Sequence, residues 1–304
     1  MESSDDPSGG AAWVYLAQSP DRGLGMALAW AERHDIGELH VVADEETALL
    51  ARRAELFAEA PPRVWQVTRG GLVEAESLPP LPRPSPLPAP DLVDLLIDIG
   101  VELVVEGGVV RGEVKGLEVA RIVSGTTTAR VPIDEAQLEV GVGAADRELT
   151  SMLHADVPPT EQLERVVKIV RDLRRAGAER HPLNQLVPER WLRVELCRAP
   201  RSIGLHSLRP AESARPRRGM READIAVATG EAVDGRPVVV ACSVGIDLDL
   251  VPSAADARAA IDPDADLWLV LPERDDHPSS LRMAARLQDP ARIVSVPDTW
   301  RAGL

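Results

Sequence analysis

The chain reads as an α/β protein. Two β-α-β-α-β units, with mostly parallel or mixed three-layer sheets, flank a strand-rich middle segment. Three observations predict this. Strand-like apolar runs alternate with helix-like stretches at both ends of the chain, a pattern that favours parallel pairing. Of 304 residues, 44 % are hydrophobic but only 3 % aromatic, so Ala, Val, Leu and Ile fill the interior, as in layered α/β folds. The two ends also match in order: "AWVYLAQS" sits against "PVVVACSV", "ELHVVAD" against "DLWLVLP", and "ARRAELFAEAPPRVWQV" against "LRMAARLQDPARIVSV". That is the pattern of a duplicated supersecondary unit, although any two α/β stretches with Ala/Arg-rich helices look alike.

Residues 1–10 form a polar leader rich in Asp, Ser and Gly. In residues 11–78, "AAWVYLAQ", "ELHVVAD" and "RVWQV" read as strands, with helices over "GLGMALAWAERHDIG" and "EETALLARRAELFAEA". The proline-rich linker at 79–90 can be neither helical nor central to a sheet. Residues 91–157 open on a short helix, "DLVDLLIDI", that Asp91 can cap and Gly100 can close. The runs "VELVVE", "LEVARIV", "ARVPI" and "LEVGVG" follow, with "SGTTT" as a hairpin turn. Residues 158–304 begin with a helix that places Leu163, Val166, Val167, Val170 and Leu173 on one face, between Thr160 as cap and Gly177 as stop. Strands at "GLHSLRP", "ADIAVAT" and "PVVVACS" lead into the second β-α-β-α-β run.

A formal net charge of −15 means that the chain as a whole repels phosphate backbones and anionic membranes, so any polyanion contact must be local. Low aromatic content argues against base-stacking platforms. Cys197 and Cys242 are the only cysteines, and neither a secretory signal nor an apolar run long enough to span a membrane is evident. A cytoplasmic protein with free thiols and no membrane contact is the expectation.

In open α/β sheets, ligands bind beyond the carboxyl ends of strands, and "CSVGIDLDLVP" places Ser243, Asp247 and Asp249 there. Ser19 and Asp21 hold the matching place in the first unit. A hydroxyl and carboxylates at one edge suit a divalent cation, magnesium or manganese. The same residues also cap helices and close turns.

The segment order from helix 160–176 onward resembles the restriction-endonuclease-like core of the PD-(D/E)XK nucleases. In that family an aspartate at a strand start and an acid-x-lysine pair on the next strand hold the metal and orient water. Asp224, in "EADIAV", matches the first aspartate. The acid-x-lysine position falls on Ala241, Cys242 and Ser243, without carboxylate or lysine. The resemblance implies either a degenerate, non-catalytic copy or a site whose second carboxylate has moved to Asp247. Asp224 and Asp247 would then be catalytic, and Asp224, Ser243, Asp247 and Asp249 would hold the metal. Separately, "HPLNQLVPERWLR" and "CSVGIDLDLVP" look like stretches of actinobacterial proteins, a resemblance that brings no activity with it.

Two further stretches stand out. Glu113-x-Lys115 has the letters of the nuclease motif but lies in a turn-like, glycine-bracketed context. Around it, Glu106, Glu113, Glu118 and Glu139 crowd one strand-rich region, which needs a cation or arginines such as Arg111 and Arg121 to compensate. From Arg190 to Arg221 the sign of charge reverses, through Arg193, Arg198, Arg201, Arg209, Arg215, Arg217, Arg218 and Arg221. Of these, Arg193, Arg198, Arg201, Arg215, Arg217, Arg218 and Arg221 are expected to bind phosphate, from nucleic acid or a small ligand, because guanidinium forks match phosphate oxygens. The alternative is internal pairing with the excess carboxylates. No Walker loop, full dinucleotide fingerprint or zinc spacing appears, and His181 beside a proline is a turn residue. The sequence therefore favours a phosphate- or nucleic-acid-binding protein with a non-catalytic nuclease-like core. A metal-dependent nuclease and a protein-interaction module are the alternatives.

Overall fold

The computed structural model describes residues 10–58, 60–126, 132–153, 157–178, 181–217 and 219–304. Arg218 and the tip of the "SGTTT" hairpin lie outside them. The first unit consists of β1 (Ala11–Tyr15), α1 (Leu24–Arg33), β2 (Glu38–Ala43), α2 (Thr47–Ala54), β3 (Arg63–Thr68) and β4 (Gly71–Glu74). Its sheet order is β1-β2-β3-β4, parallel except for the last pair. The middle consists of α3 (Pro90–Ile99), β5 (Glu102–Glu106), β6 (Val109–Val114), β7 (Leu117–Thr126), β8 (Pro132–Val140), α4 (Gly143–Leu153) and α5 (Pro159–Leu173), its strands forming an antiparallel meander. The last part holds α6 (Pro188–Arg198), β9 (Leu205–Pro210), β10 (Ala226–Ala232), β11 (Pro237–Cys242), α7 (Leu250–Ile261), β12 (Asp266–Pro272), α8 (Pro278–Ala285) and β13 (Arg292–Val296). Its sheet runs β13-β12-β11-β10-β9, with β11, β12 and β13 parallel and β9 and β10 antiparallel.

The outer units repeat one another strand by strand. Ala11 pairs with Glu38 as Val238 pairs with Asp266, and His40 pairs with Arg63 as Trp268 pairs with Arg292. Just past the first strand of each unit, Leu16 N donates to Val42 O at 2.8 Å and Ser243 N to Val270 O at 3.0 Å. The units then meet at matching residues. Phe57 and Leu287 form an isolated bridge, with Ala58 N donating to Arg286 O and Gln288 N to Leu56 O, both at 2.9 Å. This reciprocal pairing is that of a local two-fold arrangement.

One apolar core joins the facing sides of both outer sheets through α1, α2, α7 and α8, contributing Leu28, Val41, Leu50, Val251, Leu269 and Met283 among others. A second core lies on the far face of the last sheet, beneath α6 and Trp300. The stack therefore runs sheet, helices, sheet, helix: the last sheet is covered on both faces and the first on one. The meander has its own core with α3 and α5, in which Leu163, Val167 and Val170 are buried. Helical spacing thus identified the apolar face of α5, and that face packs on the middle sheet. The caps differ. Pro90 and Pro159 take the first helical positions, which leaves Asp91 and Thr160 inside the first turns. Gly100, at φ 76°, closes α3 as expected.

The first turn of α1 rests directly on the loop after β11. A Cβ at Gly25 would lie 1.9 Å from the Leu248 carbonyl oxygen, and Gly25 N donates to Asp249 Oδ1 at 2.8 Å. The obstacle is backbone, so Gly25→Ala must separate the two units. A loss of about 3 kcal/mol, the upper end of ordinary overpacking, is expected in denaturant unfolding.

Candidate functional site

The strand-end acids do converge, but on an arginine. Asp224 precedes β10 and Asp247 follows β11. Arg22, from the matching loop of the first unit, lies 3.6 Å from Asp224 Oδ1 and donates to both oxygens of Asp247 at 2.8 Å. Ser243 is buried at the end of β11, its N–H bonded to the Val270 carbonyl. Asp21 meets Arg215 at 2.9 Å, and Arg215 also reaches Asp224 at 3.3 Å. Nearby, Arg52 and Arg53 bind the fully buried Asp256 at 2.7 and 3.3 Å. Guanidinium groups supply the positive charge that a cation would bring. Among the described residues, no group of three or more His, Cys, Asp or Glu side chains is arranged to hold a metal.

Asp249 stands slightly apart, buried against the α1 N-terminus. Burial raises its carboxyl to about 6, with the Asp247 charge adding to the rise and Gly25 N–H, Arg53 and Arg22 opposing it. A carboxyl raised in the folded state favours folding in its protonated form, below its unfolded value, and that contribution is lost as pH rises through about 6. Asp249→Asn keeps an acceptor for Gly25 N–H. It is expected to raise stability at pH 7–8 by on the order of 1–3 kcal/mol, with the difference from wild type vanishing near pH 4. Thermal unfolding across that range measures it.

The arginine run and the crowded carboxylates form one network. Arg190 donates to Glu113 at 2.6 Å and to both Glu106 oxygens at 2.7 Å, while Arg193 reaches the other Glu113 oxygen at 3.0 Å. Arg111 and Arg147 share Glu118, and Arg121 holds Glu139 at 2.7 Å. Arg217 pairs with the buried Glu189, and Arg198 with Glu102 and Glu195. Arg201 and Arg221 are exposed. The predicted phosphate set therefore divides: Arg193, Arg198, Arg215 and Arg217 are committed to carboxylates, Arg217 also lining a cavity, while Arg201 and Arg221 are exposed.

That cavity, about 310 Å³, lies between the meander, α4, α6 and the residues Arg217, Gly219 and Met220. Arg111, Arg121, Arg147, Arg190 and Arg217 line it with Glu106 and Glu118, and with Gly143 and Ala144 from the N-terminal end of α4, while Glu113, Glu139 and Glu189 pair with three of the arginines from behind. Burial lowers the Arg147 pKa, and the neighbouring charges of Arg121 and Arg111 add to this against Glu118 and Glu139. Each of these guanidiniums is also held by a carboxylate, Arg111 and Arg147 by Glu118, Arg121 by Glu139, Arg190 by Glu106 and Glu113, and Arg217 by Glu189, and the N-terminal end of α4 adds its positive dipole to the wall.

Local backbone sets these positions. Lys115 and Gly116, at φ 48° and 76°, form the left-handed pair of a tight hairpin turn between β6 and β7. A Cβ at Gly116 would fall 2.4 Å from the Arg190 carbonyl carbon, so the hairpin seats directly on the start of α6. The buried Arg174 then donates to four carbonyls, Lys115, Leu183, Leu186 and Val187, at 2.7–3.2 Å. This holds Val187 in a left-handed conformation at φ 41°. Sequence reasoning missed Arg22, Arg147 and Arg174, each of which looks like an ordinary surface arginine.

Fold and site together define an α/β protein of two repeated units and a meander, with an arginine-lined cavity at the meander's junction with α6. Comparison with protein-family models, curated proteins and solved structures gives no match to this chain. Among the described residues, no helix is long and apolar enough to cross a membrane.

Proposed function

We propose that this is a cytoplasmic, non-catalytic binding protein that takes a phosphate-bearing ligand in the arginine-walled cavity. The observation that carries the reading is five guanidiniums around one space of about 310 Å³, at the lower end of small-molecule sites. Anionic oxygens gain charge-assisted hydrogen bonds there. The nuclease-like reading of the last part is supported by antiparallel β9 to β11 followed through α7 by the parallel β12, although its first helix, 160–176, packs on the meander and α6 lies on the last sheet instead. Binding is favoured over cleavage because the acid-x-lysine position is the buried Ala241, Cys242 and Ser243, and because Arg22 sits between Asp224 and Asp247.

Titration calorimetry with pyrophosphate and with a nucleoside monophosphate, across a salt series, tests the proposal. Wild type is expected to bind more weakly as salt rises. Arg147→Ala should weaken binding about tenfold or more, equal to about 1.4 kcal/mol, while Arg201→Ala leaves it unchanged. No binding at low salt, or equal binding by Arg147→Ala, refutes it. The convergence of Asp224 and Asp247 is the one observation that favours the metal-dependent nuclease instead. Cleavage of labelled DNA with magnesium or manganese by wild type, absent from Asp224→Ala, would establish that alternative.

A further inference from the structure

Among the described residues, no helix packs on one face of the first sheet. Trp13 and Tyr15 on β1 are 54 % and 55 % exposed, and Leu72 on β4 is 47 % exposed, in a chain with only eight Trp, Tyr and Phe residues. Trp13 stacks on His40 with centroids 4.1 Å apart, and Trp65 Nε1 donates to His40 Nδ1 at 3.1 Å. Trp65 is tilted 41° to Trp13, with centroids 5.5 Å apart, so the three rings form one contiguous aromatic cluster. Contiguous exposed apolar surface of this kind marks an interaction site.

We infer that this face docks an amphipathic helix of a partner protein, apolar along the contact and flanked by lysine or arginine. The molecule's own repeat shows what covers such a face. The positions matching Trp13, Tyr15, His40 and Val42 are Val240, Cys242, Trp268 and Val270, all buried in the core beneath α6. That helix presents Trp191, Leu192 and Leu196 to the sheet and carries Arg190, Arg193 and Arg198 beside them. Charge selects the same chemistry. Glu38 and Glu74 at the margin are 55 % and 51 % exposed, Asp44 is exposed, and Arg63 is already held by Glu74 at 2.9 Å. The acidic margin attracts a basic helix and disfavours a second copy of this acidic chain. Arg63 lies 5.0 Å from the Trp65 ring centroid, so these rings accept a guanidinium. The leader "MESSDDPSG" is acidic and has no apolar run, and so does not match this chemistry.

The test is fluorescence anisotropy with a labelled leucine–arginine helical peptide and its leucine–glutamate counterpart. Wild type should bind the basic peptide, less tightly at higher salt, and not the acidic one. Trp13→Ser with Tyr15→Ser, at exposed positions that leave the unfolding midpoint near wild type, should weaken binding about tenfold or more. Glu38→Lys with Glu74→Lys should weaken it independently. Equal binding by the serine variant, or equal binding of the acidic peptide, overturns the inference. So does sedimentation showing a wild-type dimer that Trp13→Ser dissociates, which would make the occupant a second copy.

Discussion

Glu113→Ala is expected to cost about 3–5 kcal/mol in unfolding free energy, because it leaves the buried Arg193 without a carboxylate and takes one of two from the buried Arg190. Glu113 is fully buried, and its two oxygens are divided between Arg190 and Arg193, themselves 6 % and 1 % exposed. Arg190 retains Glu106 as a partner, whereas Arg193 keeps only a 3.4 Å contact with the Val227 carbonyl. Burial pushes the Glu113 carboxyl up, but Arg190 and Arg193 outweigh it and hold the group below its ordinary range. A carboxyl depressed in this way contributes stability above its unfolded value, and that stability is lost as pH falls through the folded value. The gap between wild type and Glu113→Gln should therefore be widest at neutral pH and narrow below about pH 4. Removing both members, as Glu113→Leu with Arg193→Met, should cost less than the sum of the single changes. Urea unfolding of the four proteins measures the coupling, and simple additivity would refute the shared-charge account.

What was legible in the sequence follows from the range of the signals. The strands of both outer units are apolar runs bounded by turn residues, and α5 shows its buried face through helical spacing. Those patterns are local. The partner of α5 is not, because an apolar face records only that it is covered. Strand-end logic likewise brought Asp224 and Asp247 to one rim, since both flank neighbouring strands. It could not foresee Arg22, which arrives from 225 residues away and turns a cation-like site into an ion pair.

The same limit split one structure into two puzzles. The glutamates of the meander and the arginines near α6 each stood out as charge crowding, and each explains the other, yet Arg190 and Glu113 are 77 positions apart. Composition is silent on placement: an aromatic content of 3 % is an average, and it does not record that Trp13 and Tyr15 of β1 and Trp65 of β3 gather on one face of the first sheet. Alternation along β1, where Trp13 and Tyr15 are exposed and Val14 faces the core, was the signal available.

Arg174→Met should be comparably damaging, and should also impair the cavity. The guanidinium satisfies four carbonyls in a place closed to water, and each buried acceptor left bare costs about 1–3 kcal/mol, so a loss on the order of 4 kcal/mol or more is expected. Burial lowers the group to about 10, which still leaves it a cation at neutral pH, 4.9 Å from the Trp191 ring centroid. Lysine offers one compact ammonium where a planar fork spans several acceptors, so Arg174→Lys should not restore stability. The functional consequence follows from position. Without Arg174 the left-handed Val187 loses its restraint, the first turn of α6 is free to shift, and Arg190 moves with it. Pyrophosphate affinity should then fall in Arg174→Met even at temperatures where circular dichroism shows it folded. Wild-type affinity in a folded variant would mean that the cavity is organised by its own ion pairs alone. Wild-type stability would mean that other donors reach the four carbonyls.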